Sequence, residues 1–252
     1  MIKQCRMFAV AAFVWATILA MAACSTASSA EVRSFESGGE IIRADFYPPD
    51  AGRDTHRAII VLHGAGGMLF DGPEMRRVAR RLADDGNSVY LLHYFNRTGS
   101  FFFAGDSGMH KNFGLWVATV REAVDWVARE ERKRGNRART VGIYGYSLGG
   151  FLALVSASDN PQTGAVVAQA GGVWNKEERR IGHLPPVLLV HGRADARVPF
   201  DEYAGPMVKL LQRRRTLFET CFYVGEGHGF SAKAQARVRE QTADFFKRRL
   251  RR

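Results

Sequence analysis

The chain has 252 residues, 46% of them hydrophobic and 24% charged, with a formal net charge of +11. That balance suits a globular core rather than intrinsic disorder, and the length fits one α/β domain. Three cysteines exclude a disulfide framework, and beyond the N-terminus no apolar run is long enough to span a bilayer.

Residues 1–30 read as an export leader. Lys3 and Arg6 supply a positive start, Met7 to Ala23 carries no charge, and small residues follow. Two exits from the leader stay open. Met21-Ala22-Ala23-Cys24 resembles a bacterial lipobox, in which Cys24 would be lipidated, although Met21 replaces the usual leucine. Ser28-Ser29-Ala30 instead fits an ordinary signal peptidase site. The expected location is thus periplasmic, membrane-anchored as a lipoprotein, or secreted. Residues 31–252 remain as a single domain, with Cys221 expected to be an inert buried thiol.

Glu31 to Tyr47 suggests two short strands around Ser37-Gly38-Gly39. Ala58 to Leu62 is a continuous apolar run, as in a strand buried on both faces of a parallel sheet, and it ends in His63-Gly64-Ala65-Gly66-Gly67. Met75, Val78, Ala79 and Leu82 recur at helical spacing within Asp71 to Asp85, and Gly86 stops that helix. Ser88 to Tyr94 is a further strand. Asn96 to His110 reads as an irregular loop carrying Phe101-Phe102-Phe103, and Asn112 to Arg134 as a long amphipathic helix.

Thr140 to Ala157 is the most informative stretch. A β-branched and aromatic run leads into Gly145-Tyr146-Ser147-Leu148-Gly149, and an apolar helix-forming run follows. A G-x-S-x-G between strand and helix is the setting of a nucleophile elbow, where the glycines permit a turn too tight for a Cβ and the serine hydroxyl stands at the sheet's C-terminal edge. Gly164 to Gln169, Pro186 to His191 and Thr216 to Val224 read as strands, Asp201 to Arg214 and Ser231 to Arg252 as helices. Alternating strands and helices imply a mostly parallel central sheet with helices on both faces.

A serine hydroxyl needs a base, and the base needs a carboxylate to orient it. Asp195, in His191-Gly192-Arg193-Ala194-Asp195, emerges at the end of one late strand, with Asp201 or Glu202 as substitutes. His228, between Gly227 and Gly229, follows the last strand. Ser147, Asp195, His228 is the chain order that such folds use. The Leu148 N–H and the Ala65 N–H, with Gly66 as second choice for the latter, are expected to form an oxyanion hole. His63 and His191 end strands beside glycine and are expected to brace loops, while His93 and His110 are pocket candidates and His56 and His183 have no evident partner. Phe101 to Phe103, Phe151 and Trp174 are candidates for an apolar substrate pocket. The glycine-rich loop lacks the G-K-[S/T] of a phosphate loop, and no Cys/His cluster suggests a metal, so no cofactor is expected.

The basic clusters at Arg76-Arg77, Arg80-Arg81, Arg213 to Arg215 and Lys247 to Arg252 fall on helices without interleaved aromatics. They read as solvated helix faces or as contacts for an anionic membrane surface, and not as a nucleic-acid site.

Leu62-His63-Gly64-Ala65-Gly66-Gly67, Gly145 to Gly150, His191 to Asp195 and Gly227-His228-Gly229-Phe230 together resemble the α/β-hydrolase family, and within it the dienelactone-hydrolase-like branch. The resemblance covers most of residues 41–252 in the correct order. It implies the α/β-hydrolase fold and the Ser147, Asp195 and His228 triad, and it leaves the substrate open. Dienelactone hydrolases proper carry a cysteine nucleophile where this chain has Ser147, which points instead to a general serine carboxylesterase. A peptidase with the same triad, and an envelope-anchored binding protein without catalysis, are the rival readings.

Overall fold

The structure, a computed structural model, describes residues 30–50, 52–136 and 140–250. The leader, including Cys24, lies outside the described residues.

Eight strands form one sheet: β1 (Glu31–Ser37), β2 (Glu40–Tyr47), β3 (Ala58–Leu62), β4 (Ser88–Leu92), β5 (Val141–Tyr146), β6 (Thr163–Gln169), β7 (Val187–Gly192) and β8 (Phe218–Tyr223). Their spatial order is β1-β2-β4-β3-β5-β6-β7-β8. From β4 to β8 every pairing is parallel, and only the hairpin β1–β2 and its junction with β4 are antiparallel. This is the α/β architecture expected from the alternation of strand and helix.

Alternate residues of the central strands feed two separate cores. On one face Ile60, Leu62, Ile143 and Val166 pack against α3 (Asp106–Lys133), α4 (Leu148–Ala157) and α6 (Ala204–Arg213). On the other, Ile59, Val61, Tyr144 and Val167 pack against α2 (Gly72–Asp84) and α7 (Ala232–Arg249). Helices therefore cover both faces, which is why β3 to β7 read as unbroken apolar runs. The last helix is capped by Ser231, whose hydroxyl accepts from the Ala234 N–H, and ends on Lys247, Arg248 and Arg249, the charge its C-terminal dipole favours.

Three differences from the sequence reading bear on the site. A short helix α1 (Gly67–Phe70) follows the glycine-rich loop, and another, α5 (Asn175–Glu178), follows β6. Both are single turns, too brief to show a hydrophobic period. The long helix begins at Asp106, six residues earlier than expected, because Met109, Phe113, Trp116 and Val120 form one inward stripe that overrides the glycines at 108 and 114. Finally, β8 is an edge strand and only half buried, and Cys221 is half buried with it.

Candidate active site

Ser147 stands between β5 and α4 with φ 53° and ψ −121°, a conformation costly for a residue with a Cβ. The surroundings impose it. Its N–H donates to Gln169 O at 2.8 Å, and its carbonyl accepts from Gly150 N at 2.7 Å. Side chains at the flanking glycines are excluded by the main chain itself: a Cβ on Gly149 would stand 2.5 Å from His63 O, and one on Gly145 would overlap Gly149 O. The strain is therefore held by packing on both neighbouring strands.

The loops after β5, β7 and β8 meet at the C-terminal edge of the sheet. There the structure brings Ser147, Asp195 and His228 together. Ser147 Oγ lies 2.9 Å from His228 Nε2, and His228 Nδ1 lies 2.8 Å from Asp195 Oδ2. Asp195 is fully buried on its side chain, and its Oδ1 accepts from the N–H groups of Arg197 and Val198, both at 2.9 Å. Burial by itself would raise the Asp195 pKa. The bond to His228 and the two N–H donors outweigh burial and hold the group below the usual carboxylate range, so it stays charged. Asp201 and Glu202, the alternative carboxylates, are exposed on the turn before α6.

Two contacts fix the His228 loop. Tyr146 OH donates to His228 O at 3.2 Å, and Ala194 N donates to Glu226 O at 3.0 Å, tying the Asp195 loop to the His228 loop. Neither Tyr146 nor Glu226 carries a sequence signal for this role, since both bonds join segments distant along the chain. His191 braces the same region: its Nε2–H donates to Val198 O at 2.8 Å, and burial lowers its pKa so that it stays neutral.

Ala65 and Leu148 both line the pocket beside Ser147. Among the described residues no backbone acceptor engages the Ala65 N–H, and Leu148, the first residue of α4, has no intrahelical partner for its own. His63 steadies this loop as expected. Its Nδ1 lies 2.8 Å from Gly64 O, its carbonyl accepts from Tyr94 OH, and its ring stacks on Tyr94 with centroids 4.2 Å apart. Burial drives its pKa down to about 3.

Asp71 enters the site without a motif to mark it. It begins α2 without capping it, and its carboxylate turns back on the glycine loop. A methyl on Gly64 would stand 2.8 Å from Asp71 Oδ2 and 3.0 Å from Ser147 Cβ. Burial raises the Asp71 pKa, and the nearby N–H groups of Gly66 and Gly64 offset that only in part. The one local signal was the Asp-Gly-Pro opening of the helix.

The pocket above Ser147 measures about 160 Å³, close to the roughly 150 Å³ that holds a benzene ring in an apolar cavity. Phe103, Met109, Phe151 and Trp174 form its apolar side, and Trp174 stacks on Phe151 at 4.9 Å. His110 lines it too, whereas His93 does not and faces Asp45 instead. Phe101 and Phe102 do not line it and are exposed. His56, read as unpartnered, faces Asp54 at 3.5 Å. Among the described residues, no three His, Cys, Asp or Glu side chains gather as a metal-ligand set.

The model of the dienelactone hydrolase family matches residues 42–250. The chain belongs to the dienelactone hydrolase family. Among its relatives, a Salmonella typhimurium protein provisionally named carboxymethylenebutenolidase is 26% identical over 231 residues, covering 86% of this chain and 83% of the relative. Of solved structures, the dienelactone hydrolase of Anabaena variabilis superposes with a TM-score of 0.70 at 21% identity, over 88% of this chain and 98% of its own. A dienelactone hydrolase-like promiscuous phosphotriesterase from metagenomic libraries gives 0.72 at 19% identity, over 89% and 100%. At these identities the structural neighbours establish the shared α/β-hydrolase fold, and the family match makes the chain a hydrolase of that family.

Proposed function

We propose that this protein is an exported serine hydrolase that cleaves small carboxylic esters through an acyl-enzyme on Ser147. The observation that carries the reading is the unbroken series of hydrogen bonds from Ser147 Oγ through His228 to the charged, buried Asp195. Ser147 Oγ attacks the ester carbonyl carbon while His228 Nε2 takes its proton, and Asp195 stabilises the imidazolium so formed. The carbonyl electrons move onto oxygen, which the N–H groups of Leu148 and Ala65 receive. His228 then returns the proton to the departing alkoxide, leaving the acyl group on Ser147. Water repeats the sequence: His228 deprotonates it, it attacks the acyl carbon, and the proton goes back to Ser147 Oγ as the carboxylic acid leaves and ionises in solvent. The pocket has room for about one ring of the acyl or alcohol part, and its opening leaves the rest of the ester outside. Export rests on the charge and apolar pattern of residues 1–30.

The test is Ser147→Ala, assayed with p-nitrophenyl acetate and with a fluorophosphonate probe. Turnover should fall by roughly 10³-fold or more with the far-UV spectrum unchanged, and labelling should vanish. Turnover at the wild-type level would refute the assignment.

A further inference from the structure

Nine large hydrophobic residues are exposed among those described, and four of them meet at one place. Leu69 and Phe70 are 62% and 66% exposed, Phe101 and Phe102 80% and 49%. Scattered apolar residues on a surface need no explanation, but a cluster does. The rings of Phe70 and Phe102 touch edge to face, with centroids 5.6 Å apart. The two segments are also joined through their main chains. Phe103 N donates to Ala65 O at 2.8 Å, and Gly67 packs so closely on Phe101 O that a Cβ there would overlap it. None of the four lines the pocket, but Ala65 and Phe103 of the same two joined segments do, which sets the four exposed side chains beside its mouth.

Asp71 is the carboxylate in the pocket wall near the lip, and Glu177 and Glu178 beside Lys176 pair with Arg180 and Arg213, which leaves three exposed cations near the mouth. Lys111 follows His110 on α3, the Lys176 ammonium lies 5.8 Å from the ring of Trp174, and Arg197 lies in the pocket wall. All three are exposed, and none forms an ion pair among the described residues. The whole chain is strongly basic as well. Apolar side chains that insert, together with cations beside them, are the two signals that hold a protein on an anionic lipid surface. The position of the lip narrows the choice of occupant. A second copy of the chain or another protein seated there would obstruct the way to Ser147, whereas a lipid layer dissolves amphiphilic esters and presents them at the opening.

We propose that the Leu69, Phe70, Phe101 and Phe102 lip docks the pocket mouth on an anionic lipid surface, from which amphiphilic esters enter. The substrate part rests on the esterase reading above; the docking part does not. The experiment uses the full chain, flotation with vesicles of equimolar phosphatidylglycerol and phosphatidylcholine or of phosphatidylcholine alone, and hydrolysis of p-nitrophenyl decanoate carried in the same vesicles. The apolar segment at residues 7–23 is common to all variants and cancels from the comparison. In the Ser147→Ala background, Phe70→Ser/Phe101→Ser/Phe102→Ser should lower partition onto the mixed vesicles by roughly tenfold, and Lys111→Glu/Lys176→Glu should abolish the preference for them over phosphatidylcholine. With Ser147 present, the triple variant should lose vesicle-borne turnover and keep its kcat/KM for soluble p-nitrophenyl acetate. Equal flotation of the triple variant and its parent overturns docking, as does a change from dimer to monomer on substitution, which would make the lip a subunit contact. Intact docking differences with no hydrolysis of either ester would instead remove the esterase reading and leave the surface in place.

Discussion

Asp195→Asn isolates what the carboxylate contributes. In the wild type, Oδ1 accepts two backbone N–H groups and Oδ2 faces His228 Nδ1. Asparagine has the same shape, and only its oxygen can satisfy the two N–H groups, so the amide NH₂ must face His228. Its N–H then requires a bare Nδ1, which places the imidazole proton on Nε2, toward Ser147 Oγ. A base already protonated on that nitrogen cannot take the serine proton. In serine proteases the corresponding exchange lowers kcat by roughly 10⁴-fold, or about 5 kcal/mol of transition-state stabilisation. The steady-state kcat for p-nitrophenyl acetate at neutral pH, beside the thermal midpoint of the same preparation, measures this. A folded variant within tenfold of wild type would show that Asp195 does not set the His228 tautomer.

Three further outcomes follow from separate features. His63 is buried and neutral with its pKa near 3, against an ordinary value of 6.5. Unfolding therefore takes up a proton below about pH 6.5, and stability present above that pH is lost as pH falls toward about 3, by about 2 kcal/mol at pH 5. His63→Phe should flatten the pH dependence of urea unfolding by that amount, and an unchanged slope would contradict it. Glu131 is buried and receives Ser88 Oγ, Tyr90 OH and Asn136 Nδ2 at 3.0, 2.6 and 2.6 Å. Glu131→Ala strands three donors at about 1 kcal/mol or more each, so the thermal midpoint should drop by roughly 6–12 °C with ester turnover unchanged at low temperature. Gly149→Ala would force its methyl onto His63 O and Leu62 O, at 2.5 and 2.6 Å, and should prevent recovery of folded protein; a soluble, fully active variant would mean that the elbow has slack.

What could be read from the chain was whatever is written locally. Ser147 is flanked by its own glycines, and Asp195 and His228 each follow an apolar strand, so motif and chain order carry the positions of all three. Asp71, Tyr146 and Glu226 act through contacts between segments far apart in the chain, and no local pattern encodes those. The phenylalanine triplet shows the same boundary. Three identical neighbours look equivalent in sequence, yet the hydrogen bond from Phe103 N to Ala65 O turns Phe103 inward to the pocket and leaves Phe101 and Phe102 outside.

The unfavourable backbone at Ser147 is maintained by its neighbours' main chains, with no part taken by the hydroxyl in holding that turn. Serine and cysteine, each with one heavy atom on an unbranched Cβ, would meet the same conformational demand there. On the mechanism proposed above, Ser147→Cys would keep this turn and present sulfur in place of oxygen to His228.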